Sequence, residues 1–277
     1  FHRLVFLSRK YAHIEMADFD ELLDRSIPPW YVSDETCGQR PSPPIPFSLV
    51  FVVIFTTGDV EGEQYRSVLR GHTGAQGAWL RRFGASELRW VFATVGSEGA
   101  LFHRILQESD QHRDMILLPG GDSGQLSTRH MLHVLSTLRD FQFRWLIVTK
   151  QDVFVNMDRL PLILEHEEPA DGKVLGSWTE ISFPTRTSPT WWLDPHFFAV
   201  SRDVFAFLSS AAVSSRLDSG SDDFGHATSM ADGINSWLRS FSVTRVPLEG
   251  MRTASLNPNS VTVHPVSPAM MHELSVS

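Results

Sequence analysis

A chain of 277 residues can bury one large core, or a compact domain carrying a shorter appendage. Its 42% hydrophobic and 20% charged content excludes global disorder and a membrane bundle. A net charge of -8 leaves no clustered Lys and Arg for a nucleic-acid backbone, and the single cysteine, Cys37, rules out an internal disulfide or a cysteine-rich zinc site.

Residues 1 to about 40 mix charged and aromatic side chains without sustained periodicity, then enter Pro41-Ser-Pro-Pro-Ile-Pro46, which reads as a stiff extended linker. We place an N-terminal appendage over 1–46 and the main domain over 47–277. Phe1 opens without a basic-then-apolar leader, which leaves open whether a targeting or anchoring segment precedes it. The most apolar run, Phe47 to Thr57, falls short of the about 20 residues a spanning helix needs and is expected to be a buried strand.

From there strand and helix patterns alternate. Leu49 to Phe55 precedes a helical spacing over Gln64 to Phe83, Leu88 to Val95 precedes Ala100 to Ser109, and Met115 to Leu118 precedes Leu126 to Phe141. A further strand, Phe143 to Val148, ends in a turn. Such alternation implies an α/β fold with a mainly parallel sheet flanked by helices. Beyond Val148 the pattern loosens around Gly172, Pro184, Pro189 and Pro195, before helix candidates at Ser201 to Ser210 and Asp232 to Phe241. No Gly-x-Gly-x-x-Gly fingerprint or P-loop follows the first strand.

In open α/β sheets ligands sit beyond the carboxyl ends of the strands. The segments of interest are therefore Thr56 to Gly58, Thr94 to Gly96, Pro119 to Gly124 and Lys150 to Asn156. The last is the most informative, because an apolar strand delivers the carboxylate of Asp152 into a turn. Asp152 there is open to two readings: a ligand for a divalent ion, which takes oxygen donors, or a residue that closes the turn.

Asp152-Val-Phe-Val-Asn156 resembles the end of the hallmark of the β1,3-galactosyltransferase family (glycosyltransferase family 31), a strand followed by three Asp and then Val-Phe-Val-Asn. The likeness continues in order: Tyr65-Arg66 to Arg70, Val91 to Gly96, Asp114 to Leu118, Asp122-Ser123, Leu126 to Arg129, Phe198 to Ser201, Asp232 to Leu238, and Val261 to Met271. The resemblance implies a GT-A type, Rossmann-like fold and an inverting transfer of galactose or N-acetylhexosamine from a UDP-sugar to a glycan hydroxyl. It also implies Mn2+ held by Asp152 and His264, and Asp232 as the base that takes the acceptor proton. Arg66, Arg70, Lys150 and Asp152 would face the nucleotide or its phosphates. A Golgi or secretory-lumen location follows from the same resemblance, with membrane attachment only through a segment outside this chain.

Each role has a structural rival. Asp232 precedes Gly233 and suits a helix N-cap, His264 suits a hydrogen-bonded structural histidine, and Arg66 and Arg70, four apart, suit a solvated helix face. Trp191-Trp192, read as part of a Pro-rich loop, suits either sugar stacking or packing. The chain also departs from the family pattern. Lys150 and Gln151 stand where the first two Asp belong, Ala231 replaces a Glu, and Asp194-Pro-His-Phe197 replaces a glycine-rich stretch. Three consequences are open: Lys150 itself holds the diphosphate without metal, another acid such as Asp122 is recruited, or the chain is a non-catalytic binding or scaffold module.

Overall fold

The computed structural model describes residues 48–71, 88–95, 100–118, 128–139, 141–156, 159–167, 171–181, 190–210, 234–235, 238, 243–248, 262–263 and 265–271. Cys37, the proline-rich linker and the expected boundary after residue 46 lie outside them.

The first half builds four parallel strands. These are β1 (Ser48–Thr56), β2 (Leu88–Val95), β3 (Met115–Leu118) and β4 (Phe143–Lys150), connected in turn through α1 (Val60–Arg70), α2 (Ala100–His112) and α3 (Thr128–Thr137). A two-stranded ribbon and a short helix follow: β5 (Phe154–Val155) pairs antiparallel with β9 (Thr262–Val263), and α4 spans Leu160–His166. The second half adds β6 (Lys173–Ile181), β7 (Thr190–Ser201), α5 (Arg202–Leu208) and β8 (Thr244–Pro247). The seven-stranded sheet runs β3-β2-β1-β4-β7-β6-β8, with β7 antiparallel to both its neighbours and β8 parallel to β6. It is a mixed, mainly parallel, Rossmann-like α/β sheet.

Burial explains why the strands read as unbroken apolar runs. Every residue from Val50 to Phe55 is buried, because helices cover both faces of the sheet. Val50, Val52 and Ile54 pack with Tyr65 and Leu69 of α1, Ile105 of α2 and Leu160 of α4. Phe51, Val53 and Phe55 pack on the opposite side with Met131, Val134 and Leu135 of α3 and with Val204 and Phe205 of α5.

The structure differs from the pattern reading in several places. Helix α1 starts at Val60, four residues before Gln64, because the Asp59 side chain caps it by accepting from the Gly62 N–H at 2.8 Å. Helix α4 was not expected; Pro161, at its first turn, has a fixed φ that suits a helix start. Strand β7 was obscured by Pro195. The β6–β7 ladder steps from Gly176↔Phe198 to Trp178↔Leu193, so Asp194 to Phe197 swell out opposite Ser177. A bulge is where a strand tolerates proline, since that position donates no ladder bond. Trp191 and Trp192 accordingly belong to β7 rather than to a loop. Among the described residues no helix is long and apolar enough to cross a membrane.

Candidate functional site

The connections β1 to β2 and β2 to β3 place α1 and α2 on one face, whereas β3 to β4 places α3 on the other. The chain therefore reverses its winding between the adjacent strands β1 and β4, and such a reversal places a crevice beyond their carboxyl ends, the usual ligand position in such sheets. Its walls are Thr56 to Asp59 and Lys150 to Asp152. They are tied together: the Gln151 N–H donates to the Phe55 carbonyl at 2.9 Å, and the Thr57 N–H donates to Gln151 Oε1 at 3.0 Å.

Helix α1 approaches the β1 end very closely. A Cβ built on Gly62 would lie 2.8 Å from the Thr57 carbonyl carbon and closer still to its oxygen, so only glycine lets the helix lie this near the strand. Asp59 occupies the helix start, accepting from both the Gly62 N–H and the Thr57 hydroxyl. Partial burial pushes its carboxyl up, but those hydrogen bonds and the Arg66 charge outweigh it and hold the pKa below the usual value.

Arg66 and Arg70 do not form a solvated helix face: both side chains are largely buried against carboxylates. The Arg66 side chain is 1% exposed. Its Nε and Nη2 grip Glu108 of α2 at 2.8 and 2.7 Å, while Nη1 donates to the Thr57 carbonyl at 2.7 Å and the Thr56 hydroxyl at 3.1 Å. Arg70 donates in bidentate fashion to Asp114 at 2.7 Å, also reaches Glu108, and lies over the Phe92 ring. Both guanidinium forks are thus consumed by carboxylates that lock α1 to α2 and to the entry of β3.

This network carries a pH prediction. Burial pushes the Glu108 carboxyl up, yet hydrogen bonds and charge from Arg66 and then Arg70 outweigh it and lower its pKa below the ordinary 4.5. A depressed carboxylate contributes stability that is complete above its unfolded value and lost as pH falls through the folded one. Urea unfolding followed from pH 7 to pH 3 should therefore show stability falling below about pH 4.5, and Glu108→Gln should flatten that fall. An equally steep fall in Glu108→Gln would assign the acid sensitivity elsewhere.

Asp152 sits just past β4, with its carbonyl accepting from the Val266 N–H at 3.0 Å. The Val266 carbonyl in turn accepts from the Tyr65 hydroxyl at 2.7 Å. Burial first, and then the Glu61 and Asp152 charges, raise the Tyr65 pKa, so the Asp152 carboxylate lies within electrostatic reach of that phenol. The β5–β9 ribbon pairs Phe154 with Val263, bringing the Asp152 segment beside the strand that immediately precedes His264 in sequence. His264 itself, and Asp232, lie outside the described residues, as does Asp122. Three residues after Asp232, the buried Asn235 amide is clamped to Leu193 of β7, accepting from its N–H at 2.7 Å and donating to its carbonyl at 3.0 Å. Only residues 197–201 of β7 pair with β4, so Leu193 projects past the carboxyl end of β4 and the clamp stands on the crevice side.

The expected cation pair of Asp152 and His264 is described only at Asp152. No three His, Cys, Asp or Glu among the described residues are grouped to hold a metal ion. Lys150 brings a positive charge to the position of the first acid, and the oxygen of Gln151 is committed to a backbone N–H.

Several residues escaped the pattern reading. Glu108 is an ordinary acid until the fold sets it against Arg66 and Arg70, so no local spacing marks it, and Asp114, quoted only within the resemblance, gains its ion pair with Arg70 in the same way. Gly62 lay inside a segment read as preceding the helix. Asp194 and His196, noted only as a departure from the family, form a hydrogen-bonded pair on the β7 bulge, with His196 Nδ1 2.6 Å from Asp194 Oδ1. The β4–β7 ladder ends at Thr149↔Phe197, which makes Lys150 and His196 the next residues on their strands.

No protein-family model matches the chain, and no curated protein matches it. Neither comparison supports the galactosyltransferase resemblance. Among solved structures the inositol-1-phosphate CTP transferase from T. maritima is similar, at 11% identity over 83% of this chain and 96% of that one, with a TM-score of 0.41. The strand order, not this likeness, carries the fold assignment.

Proposed function

We propose that the chain is a GT-A-like glycosyltransferase domain that moves galactose or an N-acetylhexosamine from a UDP-sugar to a glycan hydroxyl with inversion. The observation that carries this reading is the position of Asp152-Val-Phe-Val-Asn156 at the β1/β4 reversal, where an α/β sheet receives its ligand. The ribbon that draws the Asp152 segment toward the stretch before His264, and the clamp that holds the stretch after Asp232 beside the crevice, support it further. In this reading Asp152 and Lys150 face the donor, and Asp232 removes the acceptor proton as the new glycosidic bond forms. Arg66 and Arg70 act indirectly, by fixing the β1 end of the crevice. The Golgi location and the glycan acceptor are carried by the resemblance alone.

A second reading, a binding or scaffold module that keeps the fold without catalysis, is favoured by Lys150 and Gln151 standing in place of two acids. Titration with UDP and UDP-sugars, paired with a transfer assay, separates the two. The enzyme reading expects UDP binding by the unsubstituted chain, and transfer that is lost in Asp232→Asn while UDP binding persists. UDP binding without transfer in the unsubstituted chain selects the module. Absence of UDP binding under every condition removes the nucleotide-sugar reading, and undiminished transfer in Asp232→Asn removes the base assignment.

A further inference from the structure

We propose that the β1/β4 crevice binds a diphosphate through the Lys150 ammonium in place of a divalent cation; this rests on the nucleotide-sugar reading above and specifies how that donor would be held.

Three observations lead there. First, the crevice needs positive charge if it is to take a diphosphate, and two nearby guanidinium groups are already spent. Arg66 and Arg70 are closed on Glu108 and Asp114, and freeing either would strand a largely buried carboxylate. Second, Lys150 is the last residue of β4, half-buried and opposite Phe55 of β1, and among the described residues its ammonium has no hydrogen-bond or ion-pair partner. A half-buried cation in a chain of net charge -8, standing at the ligand end of the sheet with no carboxylate paired to it among the described residues, is a place for a bound anion. Third, apart from Asp152 the groups around it suit an anion better than a metal. Gln151 turns its oxygen to the Thr57 N–H, and a metal ion would meet the Lys150 charge as a repulsion.

The chemistry is balanced without a metal. As the acceptor oxygen bonds to the anomeric carbon, the bond from that carbon to the diphosphate oxygen breaks and its electron pair leaves with the diphosphate. The ammonium, a compact point charge on a flexible stem, stabilises the negative charge that gathers there. Its partner in the ground state and in the departing product is the same pair of phosphate groups, so UDP and inorganic pyrophosphate are both suitable probes.

The test is calorimetric titration of the 277-residue chain with UDP and with pyrophosphate, each in EDTA and in excess Mn2+. The expected result is binding of both anions in EDTA, with affinities that Mn2+ leaves unchanged. Lys150→Met, which keeps the apolar stem, should weaken both by about tenfold or more while leaving the unfolding midpoint in place. Lys150→Asp should lose binding in EDTA and recover it with Mn2+. Binding seen only with Mn2+, or UDP affinity indifferent to Lys150→Met, overturns the subsite and leaves the nucleotide-sugar reading standing. Lys150-dependent binding of pyrophosphate without any of UDP upholds the subsite and removes that reading. Binding of neither anion overturns both.

Discussion

Arg66→Met is expected to lower the unfolding free energy by about 3–5 kcal/mol, the usual cost of removing one partner from a buried ion pair. The change strips Glu108 of a two-point contact and leaves it to Arg70 alone. It also frees the Thr57 carbonyl and the Thr56 hydroxyl, which accept from the same guanidinium at 2.7 and 3.1 Å. Methionine matches much of the stem, so the loss isolates the charge and its hydrogen bonds. Urea unfolding at pH 7 measures it, and Arg66→Met combined with Glu108→Met should recover most of the loss by removing the stranded charge as well. A cost below about 1 kcal/mol is what an exposed pair would give, and it would mean that the guanidinium is solvated.

Gly62→Ala is expected to destabilise although it replaces glycine with the best helix former. Inside a helix that exchange ordinarily gains about 1 kcal/mol. Here the added methyl would press on main-chain atoms of Thr57, which cannot rotate away as a side chain could. Overpacking of this kind costs about 1–3 kcal/mol, so the clash should exceed the gain in propensity. Because Thr57 also accepts from Arg66 and donates to Gln151, the displacement should reach the crevice and weaken UDP binding as well. Thermal unfolding decides the matter: a higher midpoint in Gly62→Ala would show that α1 can move away from β1 without penalty.

The parallel half of the fold was legible because its strands are covered on both faces. Continuous apolar runs such as Val50 to Phe55 have no other explanation at that length, and the intervening helical spacings fixed the alternation. The antiparallel half was not. Strands β6 and β7 carry polar and proline residues whose place becomes intelligible only once the bulge opposite Ser177 is known. The candidate site divides along the same line. Asp152 and Lys150 follow a well-marked strand and lie where the pattern put them, at the sheet's carboxyl edge. The solvated-face reading of Arg66 and Arg70 fails because a four-residue spacing identifies a shared helix face without saying what that face meets. Their partners are 38 to 44 residues away, and only the packing of α2 beside α1 brings them into reach.

The peptide of Val266 binds at both ends, taking the Tyr65 hydroxyl on its carbonyl and giving its N–H to Asp152. The sheet is thus finished at its ligand edge by a segment 201 residues beyond Tyr65. A nascent chain can lay down β1 to β4 while the crevice is still open on one side. Competence to hold a ligand should therefore arrive late, well after the central strands have folded.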